Sequence, residues 1–284
     1  MGRSYVDLGR FMPIMKIVSK EYFMRFATYI KTAAVGFLQV ANYRTEVWFQ
    51  VFSKILVFAG IILLWSVIGS GNSGQTHAQL ISYFLVANGV RELIDALYGK
   101  FGSYMIDDIK RGKLSAYLLQ PTHTVQFMYF RHMGNRGVTM AFSIIYIIVG
   151  IILAPPTSLV AGILFVAVVV SASMISMAQG VMVGSGAFWM TEAKGVKNVV
   201  NHISKVFSGA LIPLTFFPVA YQMPVMLSPF ASYAYLPATV LQTKTLDSSL
   251  FLQIGASFFW AVSLLSLSRF VWRRGVKHYE AIGL

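Results

Sequence analysis

YMIDDIKRGKLSAYLLQPTHTVQFMYFRHMGNR, Tyr104 to Arg136, lies between two long apolar runs and carries the densest charge in the chain. Asp107 and Asp108 come first, then Lys110, Arg111 and Lys113, with Pro121 beyond and further cations at Arg131 and Arg136. Asp108, Arg111, Ser115 and Thr122 fall roughly on one side at helical spacing, and Ile109, Leu114, Leu118 and Leu119 are the apolar residues between them. Two carboxylates near the start of a short helix suit its dipole, Gly112 allows a close approach or a bend, and Pro121 limits the helix beyond. The stretch reads as a cytoplasmic elbow that lies along a membrane and receives force from a soluble partner. A basic loop that only fixes topology is the alternative reading of the same residues.

The flanking runs set the class. The chain has 284 residues, 56% hydrophobic and 12% charged, with mean hydropathy +0.66. A soluble domain carries roughly twice that charged fraction. Several segments exceed the roughly 18 apolar residues that suggest a membrane span. The expected class is an all-α polytopic membrane protein.

Six spans are expected. They run from about Trp48 to Ile68, Gln79 to Tyr98, Val138 to Leu153, Leu159 to Met190, from near Val206, and from Leu250 to Trp272. The fifth is broken early by Pro213 and Pro218 and followed by Pro224, Pro229 and Pro237, too interrupted for one straight helix and too apolar for an ordinary aqueous loop. Short helices dipping into the outer leaflet, their loose backbone buried against protein, are expected there. In the fourth span Gly180 and Gly184 form a small-xxx-small pair that permits close helix contact.

Residues 1–46 read differently. Ile14, Met15, Val18, Tyr22, Phe26 and Ile30 recur at spacings of mostly three and four, with Lys16, Lys20, Arg25 and Lys31 largely between them. That pattern predicts an amphipathic interfacial helix, not a span and not a cleavable signal. The domain division is therefore 1–46, interfacial, and 47–284, one membrane domain.

The net charge is +13. In a soluble protein such an excess suggests nucleic acid, but here the cations fall between the apolar runs. Segments 1–46, 99–136, 191–205 and 273–284 hold most of them, whereas 69–77 and 154–158 hold none. The bias places both termini and the polar, basic stretch 191–205 in the cytoplasm and leaves no role for a nucleic-acid partner.

Catalytic chemistry is hard to find. There is no cysteine, no G-x-x-x-x-G-K-[ST] and no G-x-S-x-G, and the five histidines are scattered. Gly69, Gly71 and Gly74 fit G-x-G-x-x-G only by spacing, since a membrane helix and not a strand precedes them. Of ten acids, only Glu92 and Asp95 sit inside a span, both close to Arg91. Ionisable residues at that depth suggest function, and emergence of the helix end into the cytosol explains them equally. No cofactor or metal is expected on this chain.

With the elbow and the broken segment in view, the chain resembles the permease subunits of ABC type-2 exporters, in particular the drug- or viologen-exporter-like branch. The carrying residues are Tyr43-Arg44, Ile109 with Arg111-Gly112, Leu118-Leu119 with Pro121, and Phe188-Trp189. The longest match is Gly209, Ile212-Pro213-Leu214, Phe216-Phe217-Pro218, Pro229-Phe230 and Pro237, and His278-Tyr279-Glu280-Ala281 with Gly283 closes it. The first 40 residues are longer than the pattern, and its final Gly-Gly is Gly283-Leu284 here.

The resemblance implies a six-span fold, two permeases pairing as identical or sister subunits, and two copies of a separate ABC ATPase subunit that carries the ATP and Mg. It implies an interfacial helix before the first span, a coupling helix between the second and third, and re-entrant helices between the fifth and sixth. The setting it implies is a bacterial plasma (inner) membrane. The coupling contact would use Asp107, Asp108, Lys110, Arg111, Gly112, Leu118 and Pro121. The outer gate would use Pro213, Phe216, Phe217, Pro218, Pro229 and Phe230. Export of an amphipathic, lipid-like or drug-like substrate follows by analogy. Two rivals remain open here: a proton-coupled secondary transporter using Glu92 and Asp95, and a membrane scaffold that transports nothing.

Overall fold

The computed structural model describes residues 44–68, 77–120, 123–133, 136–211, 213–243 and 247–279. The expected interfacial helix of 1–46 therefore lies almost wholly outside the described residues, as do Pro121, Ile212 and Glu280 to Leu284. Every described element is helical: α1 (Arg44–Ile68), α2 (His77–Ile94), α3 (Phe101–Lys110), α4 (Leu114–Leu118), α5 (Thr124–Met133), α6 (Gly137–Leu153), α7 (Leu159–Ser185), α8 (Ala193–Phe207), α9 (Val219–Met226), α10 (Tyr235–Gln242) and α11 (Ser248–Val276). A π-helical turn, Asp95–Gly99, links α2 to α3, and 3-10 turns occur at Gly186–Phe188, Leu214–Phe216 and Pro229–Tyr233.

Small residues set the seams. Where α2 meets α6, a Cβ on Gly89 would fall 2.7 Å from Ile147 Cγ1, and one on Gly150 would fall 2.7 Å from Val86 Cγ2. Ser82 Oγ closes the seam by donating to the Gly150 carbonyl at 2.7 Å. The long α7 receives α3 in the same way. A Cβ on Gly102 would lie 3.0 Å from the Gly180 carbonyl oxygen, and one on Gly184 would strike Met105 Sδ at 2.5 Å. The small-xxx-small pair thus seats the helix that leads into the elbow. On its other side α7 meets α11 through three buried hydroxyls: Ser171 Oγ lies 2.5 Å from Ser257 Oγ, which accepts from Ser232 Oγ at 2.9 Å. Ser158 and Asp247 cap the two long helices, accepting from the amides of Ala161 and Leu250.

Three described helices are long and apolar enough to cross a membrane, at Val47–Leu64, Leu159–Phe188 and Ser248–Val276. A fourth is added if α5 and α6, bent by 81°, count as one. The expected six are thus not all visible as long apolar helices, for three physical reasons. First, α2 is enclosed by the bundle, with Phe84, Leu85, Val86, Ala87 and Val90 at 1% exposure or less, so it tolerates charge that a lipid-facing helix would not. Second, α6 has only 17 residues. Third, the fifth run never forms one helix: α8 ends at Phe207, Gly209 takes φ 79°, and Pro213 and Pro218 start new short elements.

The outward surfaces are those of a membrane protein. Trp48, Phe49, Phe52 and Leu63 of α1, Leu159 and Ile163 of α7, and Phe259, Val262 and Phe270 of α11 are all exposed. A water-facing surface does not carry so much contiguous apolar area.

Candidate functional site

The elbow turns at one glycine. Asp107 and Asp108 do not start a short helix, as the charge pattern suggested. They end α3, which continues from α2 through the π-helical turn. There the helix dipole disfavours them, so partners are needed. Asp107 pairs with Lys194 at 2.7 Å. Asp108 is buried at 3% exposure, lies 2.9 Å from His132 Nε2 and 3.9 Å from Lys113 Nζ, and accepts from the Tyr117 hydroxyl. Burial, and then the Asp108 charge beside it, push the Tyr117 hydroxyl above its ordinary range. Tyr104 stacks on His132 with centroids 4.3 Å apart, and Arg131 lies over the Tyr117 ring. Gly112, at φ 72°, then reverses the chain into α4, with Arg111 N donating to Asp107 O and Lys113 N to Asp108 O. A side chain at 112 would be strained at that φ.

The result is a stiff body whose core, Phe101, Met105, Ile109, Leu114, Tyr117 and Met128, is completed by Val181 of α7. Two ties lead out of it. Lys110 Nζ donates to the Thr191 carbonyl, which together with Asp107–Lys194 fastens the elbow to the start of α8. Ser115 and Tyr279 hydroxyls meet at 3.0 Å, fastening it to the end of α11. Left on the surface are Arg111, Lys113, Ala116, Leu118, Leu119 and Gln120, with Leu119 86% exposed. Of the expected contact residues, then, Arg111 and Leu118 face outward, Lys110 is exposed but engaged, Asp107 is half-buried, Gly112 is the bend, and Asp108 is inside. Beside the elbow lies a cavity of about 530 Å³ bounded by Ile109, Lys110, Phe188, Trp189, Met190 and His278. Phe188 packs on Trp272 and Tyr279 and so closely on α11 that a Cβ on Gly275 would fall 2.2 Å from its ring.

The three charges of the second run each find a separate partner. Arg91 Nη1 donates to the Ser204 carbonyl of α8 at 3.0 Å. Glu92 pairs with Lys54 of α1. Asp95 lies 3.9 Å from Arg136, just before α6, and its carboxylate folds over Gly99, where a Cβ would collide at 2.0 Å. The arrangement ties four elements together at one level.

The proline-rich segment is buried backbone in its later half. Residues 231–238 are all buried among α2, α7 and α11. Pro213 opens the 3-10 turn Leu214–Phe216, Pro218 precedes α9, and Pro229 opens the turn Pro229–Tyr233. Phe216 is exposed, Phe217 packs on Phe207, and Phe230 packs on Tyr233. Freed backbone groups are taken up internally: Tyr235 N donates to Ser208 O, Trp260 Nε1 to Leu227 O, and Gln222 Nε2 to Thr215 O and Phe217 O.

One element was missed in the sequence. The stretch 191–205, expected as a polar cytoplasmic segment, folds from Ala193 as α8, and its end packs against α2, where Asn88 donates to the Ala210 carbonyl at 3.2 Å. The signal was present: Val196, Val199, Val200, Ile203 and Val206 recur at three and four, but six polar residues between them hide the period.

No candidate metal group of His, Asp and Glu occurs among the described residues. None of the curated proteins compared with the chain matches it. The sequence pattern of the family described as "ABC-2 family transporter protein" does match, over residues 55–283, from within α1 through the elbow and the broken segment to the last residues. With four-fifths of its length so matched, and with apolar helices suited to a bilayer, the chain belongs to the ABC-2 family, the membrane permease components of ABC transporters.

Proposed function

We propose that the chain is the transmembrane subunit of an ATP-driven exporter, working as a dimer with a second copy or a sister permease and with two copies of a separate ATPase subunit. α4 and its flanks act as the coupling element, and the short helices between α8 and α11 close the outer side. Six crossings follow if α2 is an enclosed span and α8 with the segment after it forms a broken one. Both ends then lie on the cytoplasmic side of a bacterial plasma membrane.

The observation that carries this reading is the build of the elbow. A loop that only fixes topology needs cations and no internal order. Here a buried carboxylate with three side-chain partners, a core shared with α7 through Val181, and ties to both α8 and α11 make a body that can transmit a push. Its outward face, Arg111, Lys113, Leu118 and Leu119, joins charge to exposed apolar surface, which suits a groove on a soluble protein. A proton-coupled carrier would need a carboxylate free to take a proton, whereas Glu92 and Asp95 both sit against cations.

The test is ATP-dependent accumulation of fluorescent amphiphiles in inverted vesicles carrying the chain with its ATPase subunit. Accumulation is expected to stop with vanadate and to survive an uncoupler. Transport that an uncoupler abolishes while ATP stays intact would favour the carrier instead.

A further inference from the structure

α8 has three faces. At about 100° per residue, Ala193, Lys197, Val200, Asn201 and Ser204 fall in one arc and are buried or half-buried against the protein. Val196, Val199, Ile203 and Val206 form a second arc, fully apolar and exposed. Lys194, Asn198, His202 and Lys205 form the third, polar and exposed. The helix contains no acid.

Its position makes the polar arc costly. Lys194 is held at the elbow by Asp107, and the Ser204 carbonyl accepts from Arg91, within the bundle. Between them the helix rises about 15 Å, which in the proposed topology is about half the thickness of a bilayer's hydrocarbon. Charge at that depth is avoided unless it meets water or a partner. On the protein-facing arc a cavity of about 40 Å³, lined by Tyr98, Ser176, Gln179, Lys197 and Asn201, has room for a water or two.

Away from the Lys194 end, the positive charge of the arc has no paired carboxylate among the described residues. Of the described acids near α8, Glu92, Asp95, Asp107 and Asp108 already have cations and Glu192 lies just before α8 at its Lys194 end; Asp247 caps α11. Among the described residues no carboxylate pairs with Lys205 or His202, and the exposed His202 donates its Nδ1 to its own helix, at the Asn198 carbonyl.

We propose that this arc lines the transport route and that the cargo is an anionic amphiphile, its charged group held by His202 and Lys205 and its apolar part by the adjoining valine and isoleucine arc. The inference rests on the permease reading above and names the chemical class of its cargo.

The chain is naturally free of cysteine, which makes the arc addressable. The full chain carrying Asn198→Cys, in phosphatidylcholine nanodiscs, is titrated with an anionic and a cationic thiosulfonate. Asn198→Cys is expected to react several-fold faster with the anion, and Val199→Cys, on the apolar arc, to react slowly with both. Dodecyl phosphate is expected to protect Asn198→Cys, dodecyltrimethylammonium is not, and His202→Gln with Lys205→Gln is expected to remove both the rate preference and the protection. An unreactive Asn198→Cys, meaning a second copy or lipid covers the arc, would overturn the proposal. So would a faster cationic reagent, equal protection by both amphiphiles, or protection that survives loss of the two cations. None of these readouts uses ATP, so an exporter reading that fails in the vesicle assay fails separately.

Discussion

Asp108 ends a helix at the pole where the dipole repels an anion, and it is nonetheless almost fully buried. Only its partners make that tolerable. Leaving a buried polar group without a hydrogen-bond partner costs about 1–3 kcal/mol, and more for a charged one, whereas an exposed charge is worth about 0–1 kcal/mol. His132→Ala is therefore expected to lower the detergent-solubilised melting temperature and the membrane abundance of the chain. Arg111→Ala, on the open face, is expected to leave both unchanged. Equal melting for the two variants, read by intrinsic fluorescence or a dye, would mean that Asp108 is not held as described. The same geometry revises what the sequence suggested. Charge and spacing placed Asp108 beside Arg111 on one polar side, but whether a carboxylate faces out or folds onto a histidine 24 residues on is a tertiary fact. Leu119 shows the reverse: its apolar character pointed inward, and the turn after α4 leaves it the more exposed of the adjacent leucines.

At the scale of elements, the strongest expectation concerns the α3–α7 seam. With Met105 already filling the space at Gly184, Gly184→Val forces the two helices apart. Overpacking of this kind typically costs about 1–3 kcal/mol. The variant is expected to insert yet melt earlier, and a compensating Met105→Ala is expected to recover part of the loss; no recovery would place the clash elsewhere. The broken segment yields a milder expectation. Pro218 precedes α9 and Pro229 opens a 3-10 turn, so Pro218→Ala with Pro229→Ala lets helix extend where the chain must bend. Transport is expected to fall while insertion survives, and wild-type transport would make the breaks incidental.

Much of this level was readable beforehand. Long apolar runs, the small-xxx-small pair and the proline spacing each report a local constraint, and α1, α7, α11 and the short helices after Pro213 appear where those constraints put them. Two things were not readable. α3 merges with α2 because a π-helical turn, Asp95–Gly99, carries the helix past Tyr98, where the second span was expected to end. α8 was hidden because its buried arc is partly polar, with Lys197, Asn201 and Ser204 set against the protein and valines outside, the inverse of the pattern a sequence reader looks for.

For the whole molecule, orientation is the first consequence. Thr157, between α6 and α7, and Ala116, on the elbow, are both exposed and lie at opposite ends of the bundle in the proposed topology. In intact cells Thr157→Cys is expected to react with an impermeant thiol reagent, and Ala116→Cys only after the cells are opened. Labelling of Ala116→Cys from outside would invert the arrangement. The larger consequence is coupling. The elbow's open face is separable from its buried lock, so contact with an ATPase can be broken without unfolding the permease. The decisive measurement is ATP hydrolysis and cargo accumulation by the reconstituted complex, with Arg111→Glu and Leu119→Asp together in the permease. The expected result is a chain of normal abundance and melting temperature that no longer retains its ATPase subunit, or retains it without stimulated hydrolysis or export. A double variant that assembled, hydrolysed ATP and exported cargo like wild type would contradict the account, leaving the elbow as a basic loop that orients the chain and nothing more.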